Sequence, residues 1–188
     1  IYCSKLSQRY HRLFTTRLGI RYRYNANGFS IRPKPKQKFT VRECKRDEWG
    51  KFRRYHYLNS ELNNSSKCFG LYNEQDEIVG FCAVLHQPHN KILNLKRVHR
   101  IVILPDYQGI GLGTRFLNIV AEYMTKQGNE FSIVTSAKNM IGALYKSDKW
   151  FCTEYRKSYS NKGNIQDNGT CRKDCLCGRF MYKTNSYI

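Results

Sequence analysis

The sequence predicts an α+β fold: a mixed, mostly antiparallel central sheet flanked by helices. Three observations carry this. Short apolar stretches that read as strands recur along the chain, apolar residues from Leu112 to Met124 repeat at spacings of three and four, and Ile101-Val102-Ile103-Leu104-Pro105 runs into a glycine-rich turn. At 188 residues and 40% hydrophobic composition, there is material for one core and an appendage.

The appendage comes first. Residues 1–38 contain ten Lys or Arg and no acidic residue, interleaved with Tyr2, Tyr10, Phe14, Tyr22, Tyr24 and Phe29. They end in Arg32-Pro33-Lys34-Pro35-Lys36 and read as a basic arm with a stiff linker, or as the end of a preceding domain. Aromatics among arginines can stack on unpaired bases while the guanidiniums hold phosphates, so nucleic acid is one expected partner of this arm.

The domain proper is expected over residues 39–188. Phe39-Thr40-Val41-Arg42 alternates as a strand does, and Asp47-Glu48-Trp49 opens a helical stretch expected to run towards Leu62. Cys68 to Tyr72 and Ile78 to Leu85 predict a hairpin across the polar turn Asn73 to Asp76, and a further strand follows from about Leu95 to Leu104. Gly111 to about Gln127 is an amphipathic helix closed by Gly128. Phe131 to Thr135 predicts a buried strand, Asn139 to Ser147 a short helix, Trp150 to Tyr159 a strand, and Arg179 to Tyr182 the last strand.

Charge narrows the partners. Lys and Arg number 33 against 14 Asp and Glu, a formal charge of +19 that attracts polyanions. No apolar run approaches the roughly 18 residues that a membrane-spanning helix needs. Of the eight cysteines, five are scattered and no secretory signal is visible, so reduced thiols in a cytoplasmic protein are expected. Two cysteine-containing sets have the donor types that zinc takes: Cys82 with His86 and His89, and Cys171 with Cys175 and Cys177. The second lacks a clear fourth ligand, and no metal is expected.

The segment with a chemical signature is Ile101 to Thr114. An apolar strand ends at Pro105, passes Gly109 and Gly111, and enters a helix at about Leu112-Gly113-Thr114. Unpaired backbone N–H groups then lie beside a positive helix end, and glycine lets an anion approach without a Cβ in the way. The dinucleotide fingerprint fails, because its third glycine falls on Thr114 or Phe116. The P-loop fails too, because Gly113 is followed by Thr114 with no lysine.

The stretch resembles motif A of the GNAT acyltransferases, Gln/Arg-x-x-Gly-x-Gly/Ala, with Gln108, Gly111 and Gly113 in the defining places; the likeness extends over residues 39 to about 156. It implies an acetyl-CoA-dependent N-acyltransferase: the backbone of Ile101, Val102 and Ile103 along the pantetheine arm, and the amides of Gly109, Ile110, Gly111, Leu112, Gly113 and Thr114 on the pyrophosphate. Ala143-Leu144-Tyr145-Lys146 resembles the family's later Leu-Tyr-x-x-x-Gly-Phe segment, with Lys149 where glycine is usual and Lys138 where an asparagine often contacts the cofactor. Tyr55 to Leu58, Lys67 to Gly70, Ala83 to His86, His99-Arg100 and Thr135-Ser136 look like acetyltransferase domains appended to ABC-type ATPase-like proteins, which implies a link to such an ATPase.

The resemblance also suggests the proton carriers. Tyr145 is either the acid that protonates the leaving thiolate or a ring packed between helix and sheet. His99, nine residues before Gln108, is either the base for the amine or a satisfied strand histidine. Two functions follow: an acetyltransferase whose acceptor amine is unknown, associated with RNA, a ribosome or a protein, and a GNAT-shaped module that binds nucleic acid or a partner ATPase without turnover.

Overall fold

In the computed structural model, residues 38–56, 61–157 and 176–184 are described, together with the backbone of 20–25 and 28–33. The chain divides into two units, Ile1–Lys38 and Phe39–Ile188. In the first, β1 (Ile20–Asn25) and β2 (Gly28–Pro33) pair antiparallel, from Ile20 opposite Pro33 to Asn25 opposite Gly28. These strands were not among the elements expected from the sequence. Their signal is the alternation of Arg21 and Arg23 with Ile20, Tyr22 and Tyr24, a period of two that the basic composition obscures.

The second unit is built on a seven-stranded sheet of order β3-β4-β5-β6-β7-β9-β8. Its strands are β3 (Thr40–Glu43), β4 (Lys67–Tyr72), β5 (Ile78–His86), β6 (Leu95–Ile103), β7 (Glu130–Thr135), β8 (Trp150–Lys157) and β9 (Leu176–Tyr182). Every neighbouring pair is antiparallel except β6 and β7, which run parallel. The expected mixed, mostly antiparallel sheet is present.

Helices cover both faces. On one face α2 (Leu112–Lys126) and α3 (Lys138–Tyr145) close the main core. Phe116, Leu117, Val120 and Ala121 of α2 are fully buried against Phe131, Ile133 and Phe180 of the sheet. Each such aliphatic or aromatic side chain stabilises the fold by about 1.5–3 kcal/mol relative to exposure. On the other face, α1 (Trp49–Phe52), bracketed by single 3-10 turns at Arg46–Glu48 and Arg53–Tyr55, packs Trp49 and Phe52 on Phe81, Ala83 and Val102.

Of the helical stretch expected to run towards Leu62, the described residues are helical as far as Tyr55, His56 is extended and Leu62 lies outside any helix; residues 57–60 lie outside the described residues. Trp49 and Phe52 supply one apolar turn, but the next positions in phase are Arg53 and His56, so the stripe that would hold a longer helix on the sheet ends. Gly128, with φ of 78°, closes α2 in the left-handed conformation, as expected.

Lys149, the departure from the family's glycine, has a local role. Its Nζ lies 2.8 Å from Glu122 Oε1 on α2, the same oxygen that accepts a hydrogen bond from Tyr182 Oη at 3.2 Å. Beside it, Trp150 Nε1 donates to Asn118 Oδ1 at 2.7 Å. These contacts tie β8 and β9 to the outer length of α2.

Candidate active site

The parallel pair is short where it matters. β6 and β7 are in register only from Leu95 opposite Glu130 to Arg97 opposite Ser132. Beyond Arg97 the two strands part: β6 continues to Ile103 beside β5 alone, while Ser132–Thr135 of β7 pairs with β9. The β7-side edge of Val98–Ile103 therefore faces a wedge-shaped opening at the carboxyl ends of the strands, the place where ligands settle in sheets of this kind.

The crossover from β6 to β7 is α2, and its start lies at that opening. Gly111, the N-cap that precedes Leu112, has φ of 78° and Gly109 has φ of 79°, a conformation that residues with a Cβ adopt at a cost of about 1–2 kcal/mol. No side chain caps the helix and no acidic residue lies in its first turn. Arg115 makes the first intrahelical bond, donating its N–H to the Gly111 carbonyl at 3.2 Å. The N–H groups of Leu112, Gly113 and Thr114 precede that bond at the positive end of the helix, where an anion is stabilised.

Gln108 shapes the approach. Its Nε2 donates to the Ile103 carbonyl at 2.7 Å, folding the turn back on the last residue of β6. Leu112 and Ile103 are buried in the main core, with Ile101 and Ile110 packed against it; Val102 points to the opposite face, into the cluster with Trp49 and Phe81. A Cβ at Gly113 would lie 3.7 Å from both Ile103 and Met140, ordinary contact that leaves the helix start undistorted. Thr114 Oγ1 lies 4.0 Å from Met140 Sδ, so α3 runs beside the first turn of α2. Ile103, Gln108, Gly113 and Thr114 are thus gathered at one mouth.

Tyr145 and His99 are not in contact. Tyr145, the last residue of α3, is 67% exposed, with its ring edge-on to Phe180 at 6.1 Å. His99 is half-buried in the middle of β6, where the Asn63 N–H approaches its Nε2 at 3.5 Å and Arg100 Nη1 lies 3.3 Å from Nδ1. Burial first, then the charges of Arg100, Arg97 and His56, push its pKa down to about 4. The ring is neutral at pH 7 and binds a proton weakly.

Arg97 and Arg179 were not singled out from the sequence, and the fold places them together. Register pairs Arg97 with Ser132 and Arg179 with Val134, on the sheet face away from α2, because the intervening Ile133 and Phe180 lie in the core beneath α2. Burial and the nearby Arg179 charge hold the Arg97 guanidinium below its usual proton affinity. The available signal was Arg179 inside an otherwise apolar strand, whereas Arg97 is one of several basic residues of its strand, with Lys96, His99 and Arg100. A local pattern does not show that they meet.

The cysteines sort by burial. Cys44, Cys68, Cys82 and Cys152 are free thiols, and burial pushes Cys44 up to about 12, with Cys68 and Cys82 raised as well, so none of those three is a ready nucleophile. Cys177 is disulfide-bonded, which corrects the expectation that all the thiols are reduced. Cys171 and Cys175 lie outside the described residues. Among the described residues no three His, Cys, Asp or Glu side chains converge on a metal-sized site; Cys82, paired with Ile101 in mid-sheet, is fully buried, while His86 and His89 lie beyond the strand's apolar part. A recess of about 520 Å³ near Arg42, Lys51 and Tyr72 lies two strands from the opening, and its Arg42–Asp76 and Lys51–Glu48 charges are already paired at 2.8 Å.

A strand pair that forks beside an uncapped, glycine-led helix start defines an α+β domain built to receive an anionic ligand at the strand ends. Comparison with known proteins gives this class a family. Residues 37–146 match the model of the acetyltransferase (GNAT) family, and the chain belongs to that family; acetyl-CoA is its co-substrate and it is an N-acetyltransferase. Among solved structures, spermidine/spermine N-acetyltransferase SpeG from Vibrio cholerae aligns with a TM-score of 0.58 at 13% identity, over 80% of this chain and 95% of that one. The Escherichia coli ribosomal-protein-S18-alanine N-acetyltransferase aligns with a TM-score of 0.52 at 16% identity, over 77% and 93%. A Bacillus subtilis acetyltransferase in complex with CoA gives 0.56 at 14% identity, over 79% and 99%. At these identities the likeness is one of fold. No curated protein sequence matches significantly.

Proposed function

We propose that this acetyltransferase seats acetyl-CoA in the fork between β6 and β7, with its pyrophosphate on the amides of Gly109, Ile110, Gly111, Leu112, Gly113 and Thr114 and its pantetheine arm along Ile101, Val102 and Ile103. The single observation behind this reading is the coincidence of two features: β6 loses its partner after Arg97, and the uncapped start of α2 lies beyond that break. An unpaired strand edge offers N–H and C=O groups to an amide-bearing arm, and a helix start offers positive charge to a diphosphate. Gln108 keeps these two surfaces at fixed spacing through its bond to Ile103. The co-substrate supplies an acetyl group activated as a thioester; the chain supplies position, polarisation and proton transfer.

A backbone N–H of the Ile101–Ile103 stretch polarises the thioester oxygen. Tyr145, exposed at the end of α3, donates the proton that the departing thiolate needs, while the contact with Phe180 steadies its ring. His99 is unprotonated at neutral pH and takes the amine's proton, directly or through water. Its low affinity means that the proton passes on to solvent rather than remaining on the ring.

The acceptor is an amine, and the chain's charge favours one presented near a polyanion over a polycation. The basic residues of 1–38 make RNA or DNA the expected neighbour, and likeness to domains appended to ABC-type ATPase-like proteins suggests such an ATPase as a partner. The free thiols support a cytoplasmic location, and the Cys177 disulfide counts the other way. Among the described residues no helix is long and apolar enough to cross a membrane.

Calorimetric titration with acetyl-CoA tests the central reading. Binding to the wild-type chain and its loss in a folded Gly111→Val/Gly113→Val double variant are expected; unchanged affinity in that variant would remove the assignment. For the arm, removal of residues 1–38 should flatten the dependence of nucleic-acid affinity on salt.

A further inference from the structure

The sheet face away from α2 is edged with guanidinium groups. Arg97 stands where β6 and β7 part, and Arg179 lies across β7 on β9. Arg97 Nε is buried and has no hydrogen-bond partner among the described residues, and no described carboxylate forms an ion pair with this side chain. The two influences on its ionisation, burial and Arg179, both oppose its charge. Arg179 Nε is buried without a hydrogen bond too, and its carboxylate neighbour, Glu154 Oε2 at 3.6 Å, belongs to a group whose other oxygen lies 3.1 Å from Arg156 Nε. One carboxylate serves two guanidiniums, and the guanidinium nearest the fork has none among the described residues.

Arginines kept only for packing extend their heads into water or pair them. Two that converge half-buried, with their Nε–H groups unsatisfied, disfavour the folded state unless an anion completes the arrangement. A carboxylate or phosphate does so with forked geometry.

We infer that the acceptor is an amine carrying its own anionic group, a carboxylate or a phosphate, which Arg97 and Arg179 hold at the fork of β6 and β7 while the amine reaches towards Ile101. This rests on the proposed course of the thioester along Ile101–Ile103. Arg97 and Ile101 are four residues apart, roughly 13 Å of strand, and the arginine side chain shortens that span. The amine and anion of the acceptor are therefore separated by several bonds, as in an ω-amino acid or an aminoalkyl phosphate. A polyamine would bring further positive charge to two guanidiniums that share at most one carboxylate among the described residues, so it is a poor acceptor.

The test measures CoA release by the full chain with four acceptors: an ω-amino carboxylate, an aminoalkyl phosphate of the same length, the matching alkylamine without an anion, and spermidine. One anionic acceptor should have a KM about 10- to 100-fold below that of the alkylamine, and the one that does identifies the group as carboxylate or phosphate. In Arg97→Gln and Arg179→Gln that ratio should collapse through KM rather than kcat. Calorimetry of the anionic acceptor without acetyl-CoA should read the same preference as binding. Should Arg97→Gln fail to fold, Arg97→Lys, which keeps the charge and loses the fork, should lower the ratio in its place. Equal KM values, a preference for spermidine, or a ratio that survives in the folded variants would overturn the inference. A chain that binds acetyl-CoA yet shows no anion preference loses this inference and keeps the proposed function; one that does not bind acetyl-CoA loses both.

Discussion

Gln108 Nε2 donates to the carbonyl oxygen of Ile103 at 2.7 Å, a side-chain bond that joins the end of β6 to the turn before α2. Gln108→Leu keeps the approximate size and removes the donor. It should cost about 1 kcal/mol of stability and lower acetyl-CoA affinity several-fold, because the turn is no longer held. Thermal unfolding and calorimetry measure the two effects, and unchanged affinity would show that the bond serves the fold alone.

The glycines at the two ends of α2 form a controlled series. Gly109→Ala, Gly111→Ala and Gly128→Ala each place a Cβ on a backbone with φ near 78–79° and should each cost about 1–2 kcal/mol. Only the first two should also weaken acetyl-CoA binding, since Gly128 closes the far end of the helix. Gly113→Ala meets ordinary contacts at 3.7 Å and should leave stability nearly intact while weakening binding. Equal affinities across the series would separate the helix start from the co-substrate.

His99 gives a pH signature. Its folded-state pKa, about 4, lies below its ordinary value of 6.5, so the folded protein binds this proton less readily than the unfolded chain. The corresponding stability is present in full above pH 6.5 and is lost as pH falls through that value towards 4. Unfolding measured across this window should show the loss, and His99→Asn should flatten it. If His99 takes the amine's proton, the acid limb of kcat/KM that it contributes lies near pH 4 rather than 6.5, and a His99-dependent limb at 6.5 would contradict the buried, cation-flanked ring.

Tyr145→Phe removes one exposed hydroxyl and keeps the edge-on contact with Phe180. Stability and acetyl-CoA affinity should stay within error while kcat falls by about 100-fold or more. Full activity in the variant would return Tyr145 to a packing role.

Most of the second unit was legible as local pattern. The apolar runs from Cys68 to Tyr72 and from Ile78 to Leu85, the stripe from Leu112 to Met124, and Gln108 with Gly111 and Gly113 each lie within one element or one turn, where spacing along the chain and spacing in space agree. The helical stretch after Trp49 was overextended because charged residues beyond Phe52 have good helix propensity yet no apolar face to bury.

The sequence alone determined the sheet-and-helix class, the strand–turn–helix segment and its capacity for an anion, since these depend on side-chain periodicity and glycine's freedom over about fifteen consecutive residues. The tertiary structure decided that β9 lies between β7 and β8, that β6 and β7 part at Arg97, and that Arg97 and Arg179 share one face. Each is a pairing between segments distant along the chain, selected by burial over the whole sheet and carried by no short stretch of residues.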